Sequence, residues 1–242
     1  MGMFLLDKPF SGSDFAGHAE LDLRNVGPKA WPVLLPACTA TDLRLYHITL
    51  QTLDGIEKLR SVTRLRLEWA NRIDDLSPLF RLHRLTSLSV FDFPKLRVLE
   101  GIESLHQLAE LHLSGNRGSL TPPLQLRSIE PVTRIPKLAT FSLENARLED
   151  DDITVLARCE RLRDLALSNR FDRGQFAFLA KRLNPQLATP IAAYRASSLK
   201  CETCAGNKAM FTGRRMPFLC PSCDATRFEK YVSEFDRLVR EA

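Results

Sequence analysis

The sequence has no stretch long and apolar enough to cross a bilayer. Its most hydrophobic runs, such as Trp31 to Cys38, fall far short of the roughly 18 residues a spanning helix needs, and they contain proline. The start, Met1 to Asp7, has no basic leader region and no small-residue cleavage site, and Leu6 stands where a myristoylation signal needs Ser or Thr. A soluble, cytoplasmic protein is expected. A dominant charge is also missing: 34 Lys and Arg against 29 Asp and Glu leave only +5, too little to mark a nucleic-acid binder by composition. There is no phosphate-binding loop, dinucleotide glycine fingerprint, nucleophile elbow or metalloprotease helix. His18, His47, His83, His106 and His112 are scattered, with no carboxylate or cysteine at catalytic spacing. An enzyme is therefore not expected. Disorder is excluded by 44% hydrophobic against 26% charged residues.

What is present is a repeat. Seven Leu-x-Leu-like units begin at Leu21, Leu43, Leu65, Leu88, Leu111, Phe141 and Leu165, at successive offsets of 22, 22, 23, 23, 30 and 24. A second periodicity of three runs between them, clearest at Ile73, Leu76, Leu79, Leu82, Leu85 and Leu88, and again at Leu99, Ile102, Leu105, Leu108 and Leu111. Neither a heptad nor a 3.6-residue stripe has this spacing, and Pro78, Pro94, Pro122, Pro123 and Pro136 would break the helices of a bundle.

This pattern resembles the leucine-rich-repeat family, in its 22-residue internalin-like or phosphatase-regulator-like subtype; Val62 to Leu79 follows the consensus with one extra residue before Asn71. The resemblance covers about residues 21–184. It implies an α/β fold: a right-handed solenoid of about seven repeats, with residues 1–20 as an N-terminal cap. Each Leu-x-Leu would be a short strand with its leucines in the core and the intervening residue on a concave face. The asparagine position survives at Asn71 and Asn116 and loosely at Asn145 and Asn169. The longest interval contains residues 114–123, read as a loop that is either a surface excursion or a contact to a partner.

Residues 185–200 lose the repeat and read as a connector to 201–242. There Cys201/Cys204 and Cys220/Cys223 form two tight pairs. Two-residue gaps let neighbouring thiolates meet one ion, and two pairs complete a tetrahedral set, so one structural Zn2+ is expected, with no position open for catalysis. The spacing resembles a zinc ribbon, although Ala205 and Asp224 replace the usual glycine after each pair. Between the pairs, Met210, Phe211 and Phe218 either form a small core or join Lys208, Arg214 and Arg215 in a surface for RNA. From residue 185 onward nine basic and six acidic side chains nearly cancel once four thiolates and one zinc are counted. Residues 226–240 carry a helical apolar stripe, Phe228, Tyr231, Val232, Phe235, Leu238 and Val239, with Thr226 and Glu229 as a candidate capping box. Cys38 and Cys159 read as core.

The function expected is a non-enzymatic, monomeric scaffold that binds a protein on its concave face. An inhibitor of a cognate protein, such as the immunity protein kept against a bacterial toxin, suits a small solenoid with no effector domain. The alternative is a nucleic-acid- or ribosome-associated adaptor acting through the ribbon; a redox protein is a distant third. Tyr46, Arg64, Arg66, Glu68, Trp69, Phe91, Phe93 and His112 are the candidate partner-binding residues, because aromatics beside arginines dominate protein interfaces. Trp69 and Phe93 lie where strand turns to loop and are either exposed anchors or core.

Overall fold

A computed structural model describes residues 2–116 and 122–242. The chain divides into two compact units. The first holds the residues up to Asp151 together with Leu165–Leu167, and the second holds Asp152–Asp164 and Ser168–Ala242. Among the described residues no helix is long and apolar enough to cross a membrane.

The first unit is built on a parallel sheet of β1 (Gly2–Leu5), β2 (Glu20–Val26), β3 (Asp42–Ile48), β4 (Arg64–Glu68), β5 (Ser87–Phe91), β6 (Glu110–Ser114), β8 (Thr140–Glu144) and β10 (Asp164–Leu167), in that order. Each Leu-x-Leu unit lies in one of these strands. The register is strict: Leu21, Leu43, Leu65, Leu88, Leu111 and Phe141 pair in one row, and Leu23, Leu45, Leu67, Val90, Leu113 and Leu143 in the next but one. Alternation along each strand sends both rows into the core, where every member is at most 1% exposed. β1 is an additional strand, pairing Gly2 with Leu21 and Phe4 with Leu23, where the sequence suggested only a cap.

Between strands the chain returns through α1 (Trp31–Ala37) or through short 3-10 turns, at 56–58, 77–81, 102–104 and 130–134. A 3-10 helix has three residues per turn, so residues three apart share one face. This explains the period of three, and the members of both runs are all buried. Two of the turns are entered through a left-handed glycine, Gly55 at φ 88° and Gly101 at φ 92°; a Cβ on Gly55 would also stand 2.8 Å from the Leu35 side chain. Just before the strands, Thr41, Thr63 and Thr86 each donate a hydroxyl to the carbonyl one repeat earlier, those of Ala19, Thr41 and Thr63.

In the longest interval β7 (Leu124–Leu126) pairs in parallel with β9 (Ala146–Leu148). Residues 117–121 of the expected loop lie outside the described residues.

The second unit contains α2 (Arg173–Leu183), α3 (Ala225–Glu241) and an antiparallel sheet of β11 (Tyr194–Lys200), β12 (Asn207–Phe211) and β13 (Phe218–Leu219). β11 occupies part of the segment expected to be a connector. Ala209, Phe211, Leu219 and Phe228 form the core between the sheet and α3, with Met216, Tyr231 and Val232 against it. Arg173 is buried and ties the pieces together: Nη1 donates to the Thr212 carbonyl (2.8 Å), Nη2 to the Tyr231 carbonyl (2.6 Å), and the guanidinium carbon lies 5.1 Å from the Phe235 ring centre. The capping box does not form. Asp224 precedes the helix, and its carboxylate accepts the Cys220 N–H at 2.8 Å, so Thr226 falls inside α3.

Candidate functional site

Two sites emerge, one in each unit. On the first unit's sheet the residues between the core rows face outward, and register stacks them into columns: Asp22, Arg44, Arg66, Ser89, His112 and Ser142 in one, Arg24, Tyr46, Glu68, Phe91, Ser114 and Glu144 in the next. The arginines are not loose. Arg44 grips Glu68 through Nε (2.9 Å) and Nη2 (2.6 Å) and reaches Asp22 through Nη1 (3.0 Å), while Arg24 closes on Asp22 from its own strand (3.0 Å). Hydrogen bonds to Glu68 raise the Arg44 guanidinium above its ordinary value. Arg66 holds Asp42 at 3.0 Å, and Arg64 lies between Asp42 (3.6 Å) and Glu110 (3.7 Å).

Asp22 is only 2% exposed. As the residue between Leu21 and Leu23 it was expected on the concave face, but Arg24 and Arg44 cover it. Burial pushes its carboxyl upward, yet the hydrogen bond from Arg24 and the charge of Arg44 outweigh that and hold it below the ordinary 3.8. A depressed carboxylate stabilises the fold above its unfolded value, and the contribution fades as pH falls through the folded one. Asp22→Asn is therefore expected to cost the first unit about 2 kcal/mol near neutrality, and less in acid. Urea unfolding at pH 6 and pH 2.5 checks this: an equal cost at both would place the loss in packing rather than charge.

The strands end in a shared corner. Asn25, His47, Trp69, Asp92 and Asn145, each two residues beyond the second core position, all have positive φ, from 44° to 60°. Asn and Asp tolerate this left-handed region, whereas for a bulky side chain it is strained. Trp69 nevertheless adopts it, at φ 60°, and is 41% exposed. Its ring lies 5.2 Å from that of Tyr46, tilted 34°, and the Arg24 and Arg44 guanidinium carbons lie 5.4 and 5.1 Å from the Tyr46 ring centre. The result is an aromatic platform braced by cations. Next to it, Ser87 and Ser89 on β5 leave a gap between longer neighbours. Together with Asp42, Arg64, Arg66, Glu110 and His112 they line a hollow of about 250 Å3.

Phe93 leaves this set. Past the left-handed Asp92 the chain turns inward, and Phe93 is 1% exposed, a core residue. Tyr46, Glu68, Phe91 and His112 are half-buried on the face, and Arg64 and Arg66 are exposed there. Asp42 was missed; it sits immediately before the first core leucine of β3, at a position the Leu-x-Leu pattern leaves unspecified.

In the second unit Cys201, Cys204, Cys220 and Cys223 bring one sulfur each to within 4.8 Å of one another. The Sγ atoms of Cys204 and Cys220 are 3.4 Å apart. The backbone folds around them as two turns, with Ala205 N–H on the Cys201 carbonyl (3.0 Å) and Asp224 N–H on that of Cys220 (3.0 Å). Ala205 takes φ 55°, where glycine would be unstrained. The N–H groups of Cys204 and Thr203 draw the Cys201 thiol down to about 6, while the neighbouring Cys204 and Cys201 sulfurs push the Cys223 thiol up to about 12. Four cysteine sulfurs this close could all be held as thiolates only with a cation among them. A tetrahedral thiolate site with metal–sulfur bonds of about 2.3 Å has sulfurs about 3.8 Å apart, so these four residues could hold one metal ion. Burial pushes the Cys159 thiol up to about 11, leaving it protonated at neutral pH.

No family model matches the chain, and no curated protein matches it. Among solved structures it is similar to an internalin of Listeria monocytogenes (inlF), at 16% identity and a TM-score of 0.51 over 70% of this chain and 47% of that one. An internalin C2 of the same organism (inlC2) aligns at 21% identity and a TM-score of 0.45, over 62% of this chain and 61% of that one. The fold is that of a leucine-rich-repeat protein. The chain spans about half the length of the first internalin. Leucine-rich-repeat sheets commit their strand leucines to the core and leave the intervening side chains free of that constraint. Here those side chains are the paired arginines and the Tyr46–Trp69 platform.

Proposed function

We propose that this leucine-rich-repeat protein is a non-catalytic scaffold that binds one protein partner on the open face of its sheet. The observation that carries this reading is Trp69, half-exposed, held in a strained left-handed corner and stacked on Tyr46. Backbone strain at an exposed aromatic costs the fold stability, and such residues cluster at binding sites. The bracing ion pairs support the same reading, because side chains already fixed lose little entropy in a complex. Arg64, Arg66, Glu68, Phe91 and His112 surround the platform and complete the contact surface. The four cysteines hold one structural zinc: all-thiolate donors favour it, and a closed four-ligand site leaves no position for a substrate.

Within this class the protein acts as a stoichiometric inhibitor of a cognate protein, as an immunity protein does against a toxin, by covering the target with the sheet face. The test is co-expression with the product of the adjacent gene and titration of that product's activity. Full protection at one-to-one stoichiometry, lost in a Tyr46→Ala, Trp69→Ala variant that still folds, is the expected result. Protection at strongly substoichiometric amounts would mark an enzyme that reverses the damage, and a footprint confined to the cysteine-containing unit would overturn the assignment of the sheet face.

A further inference from the structure

The second unit carries a surface the repeat has no part in. Register aligns Arg195, Met210 and Phe218 across β11, β12 and β13. Tyr194, Phe211 and Leu219, one residue away on each strand, belong to the opposite face; Phe211 and Leu219 are core there, and Tyr194 and Phe211 pack on Phe228 of α3. The row Arg195, Met210 and Phe218 therefore looks outward. Phe218 is 41% exposed, with Met210 half-buried beside it. Lys208, two residues before Met210, shares that face, and Arg215 stands in the turn between β12 and β13. Among the described residues Arg195, Lys208 and Arg215 take part in no ion pair.

Charge is uneven in this unit. α3 is neutral, with Arg227, Lys230, Arg237 and Arg240 against Glu229, Glu234, Asp236 and Glu241, so the excess of nine basic over six acidic side chains beyond residue 185 lies outside the helix, where the only acids are Glu202 and Asp224. The sheet and its turn hold Arg195, Lys200, Lys208, Arg214 and Arg215. An exposed aromatic at the edge of a face that also carries cations matches one ligand chemistry: a base to stack and phosphates beside it. A duplex hides its base faces, whereas a single strand presents them.

We propose that the outer face of β11–β13 binds single-stranded nucleic acid, with Phe218 stacking on one base and Arg195, Lys208 and Arg215 meeting the flanking phosphates. The experiment is fluorescence anisotropy of the 242-residue chain with a labelled twelve-nucleotide oligouridylate. Neutralising three phosphates of a single strand weakens binding about 20-fold between 50 and 200 mM salt. Phe218→Ala is expected to weaken it about tenfold, with metal content and melting unchanged because the ring is not core. Arg195→Glu with Lys208→Glu is expected to abolish binding at 200 mM salt. No binding at 50 mM salt, an unaltered affinity in Phe218→Ala, equal affinity for a twelve-base-pair duplex, or displacement of the strand by polyglutamate at matched charge would each overturn the proposal.

Discussion

Replacing Cys201 by serine is expected to lower bound zinc from one equivalent to less than a tenth and to open the segment from 194 to 224 to protease, while the first unit keeps its own unfolding transition. The core joining β11–β13 to α3 is small: Ala209, Phe211, Leu219 and Phe228, with three half-buried neighbours. Segments of about 40 residues rarely fold on a core of that size without a metal or disulfide. In such modules the metal's binding free energy is the folding free energy, on the order of 10 kcal/mol for zinc-finger peptides. Serine keeps the volume but removes a soft, charged ligand, and the remaining three sulfurs are left without a full set. The first unit's own core is a row-by-row stack of strand and turn residues, stabilised by nearest neighbours, so its transition is expected to persist. Elemental analysis and limited proteolysis of the variant, with Cys159→Ser as the buried-cysteine control, check the expectation. Retention of zinc in Cys201→Ser, or iron as the native metal, would overturn the assignment; so would a wild-type protein that contains no metal yet resists protease.

The legible parts of this molecule are those where one residue type repeats against one kind of neighbour. Leucines spaced by two and by three mark strand and 3-10 turn because both elements bury the same side chain at every cycle. The paired cysteines are similarly local. β1 was missed because Gly2 to Leu5 has no Leu-x-Leu of its own and is a strand only by pairing with β2. β11 was missed because Tyr194 to Lys200 lies largely exposed and shows no apolar alternation; hydrogen bonding to β12 makes it a strand. The buried Asp22 illustrates the limit at the site. Its cover, Arg44, comes from the next repeat, so the pairing exists only once the two strands are in register. For Trp69 and Phe93 the deciding factor was the left-handed residue. It is Trp69 itself in one repeat and the preceding Asp92 in the other, so the two rings face opposite ways.

Trp69→Asn is expected to separate stability from binding. Asparagine takes positive φ with little penalty, so the substitution relieves about 1 kcal/mol of backbone strain. It also removes the Tyr46 stacking, worth about 0.5–1.5 kcal/mol, so the unfolding free energy should change by less than about 1 kcal/mol. Affinity for the partner has no such compensation. An exposed, braced tryptophan has the character of an interface hot spot, and its loss is expected to cost about 2 kcal/mol or more, roughly a 30-fold rise in Kd. Arg44 stays fixed by Glu68 and Asp22 in the variant, and the hollow lined by Ser89 and His112 lies beyond the ring's contacts, so the rest of the face is preserved. Dissociation should account for most of the change, because trimming one anchor leaves the charge pattern that guides encounter untouched. Calorimetry of the partner complex beside urea unfolding of the free chain gives both quantities. A Kd within threefold of wild type would remove Trp69 from the interface, and a stability loss above about 2 kcal/mol would mean that the ring is held there for the fold and not for a partner.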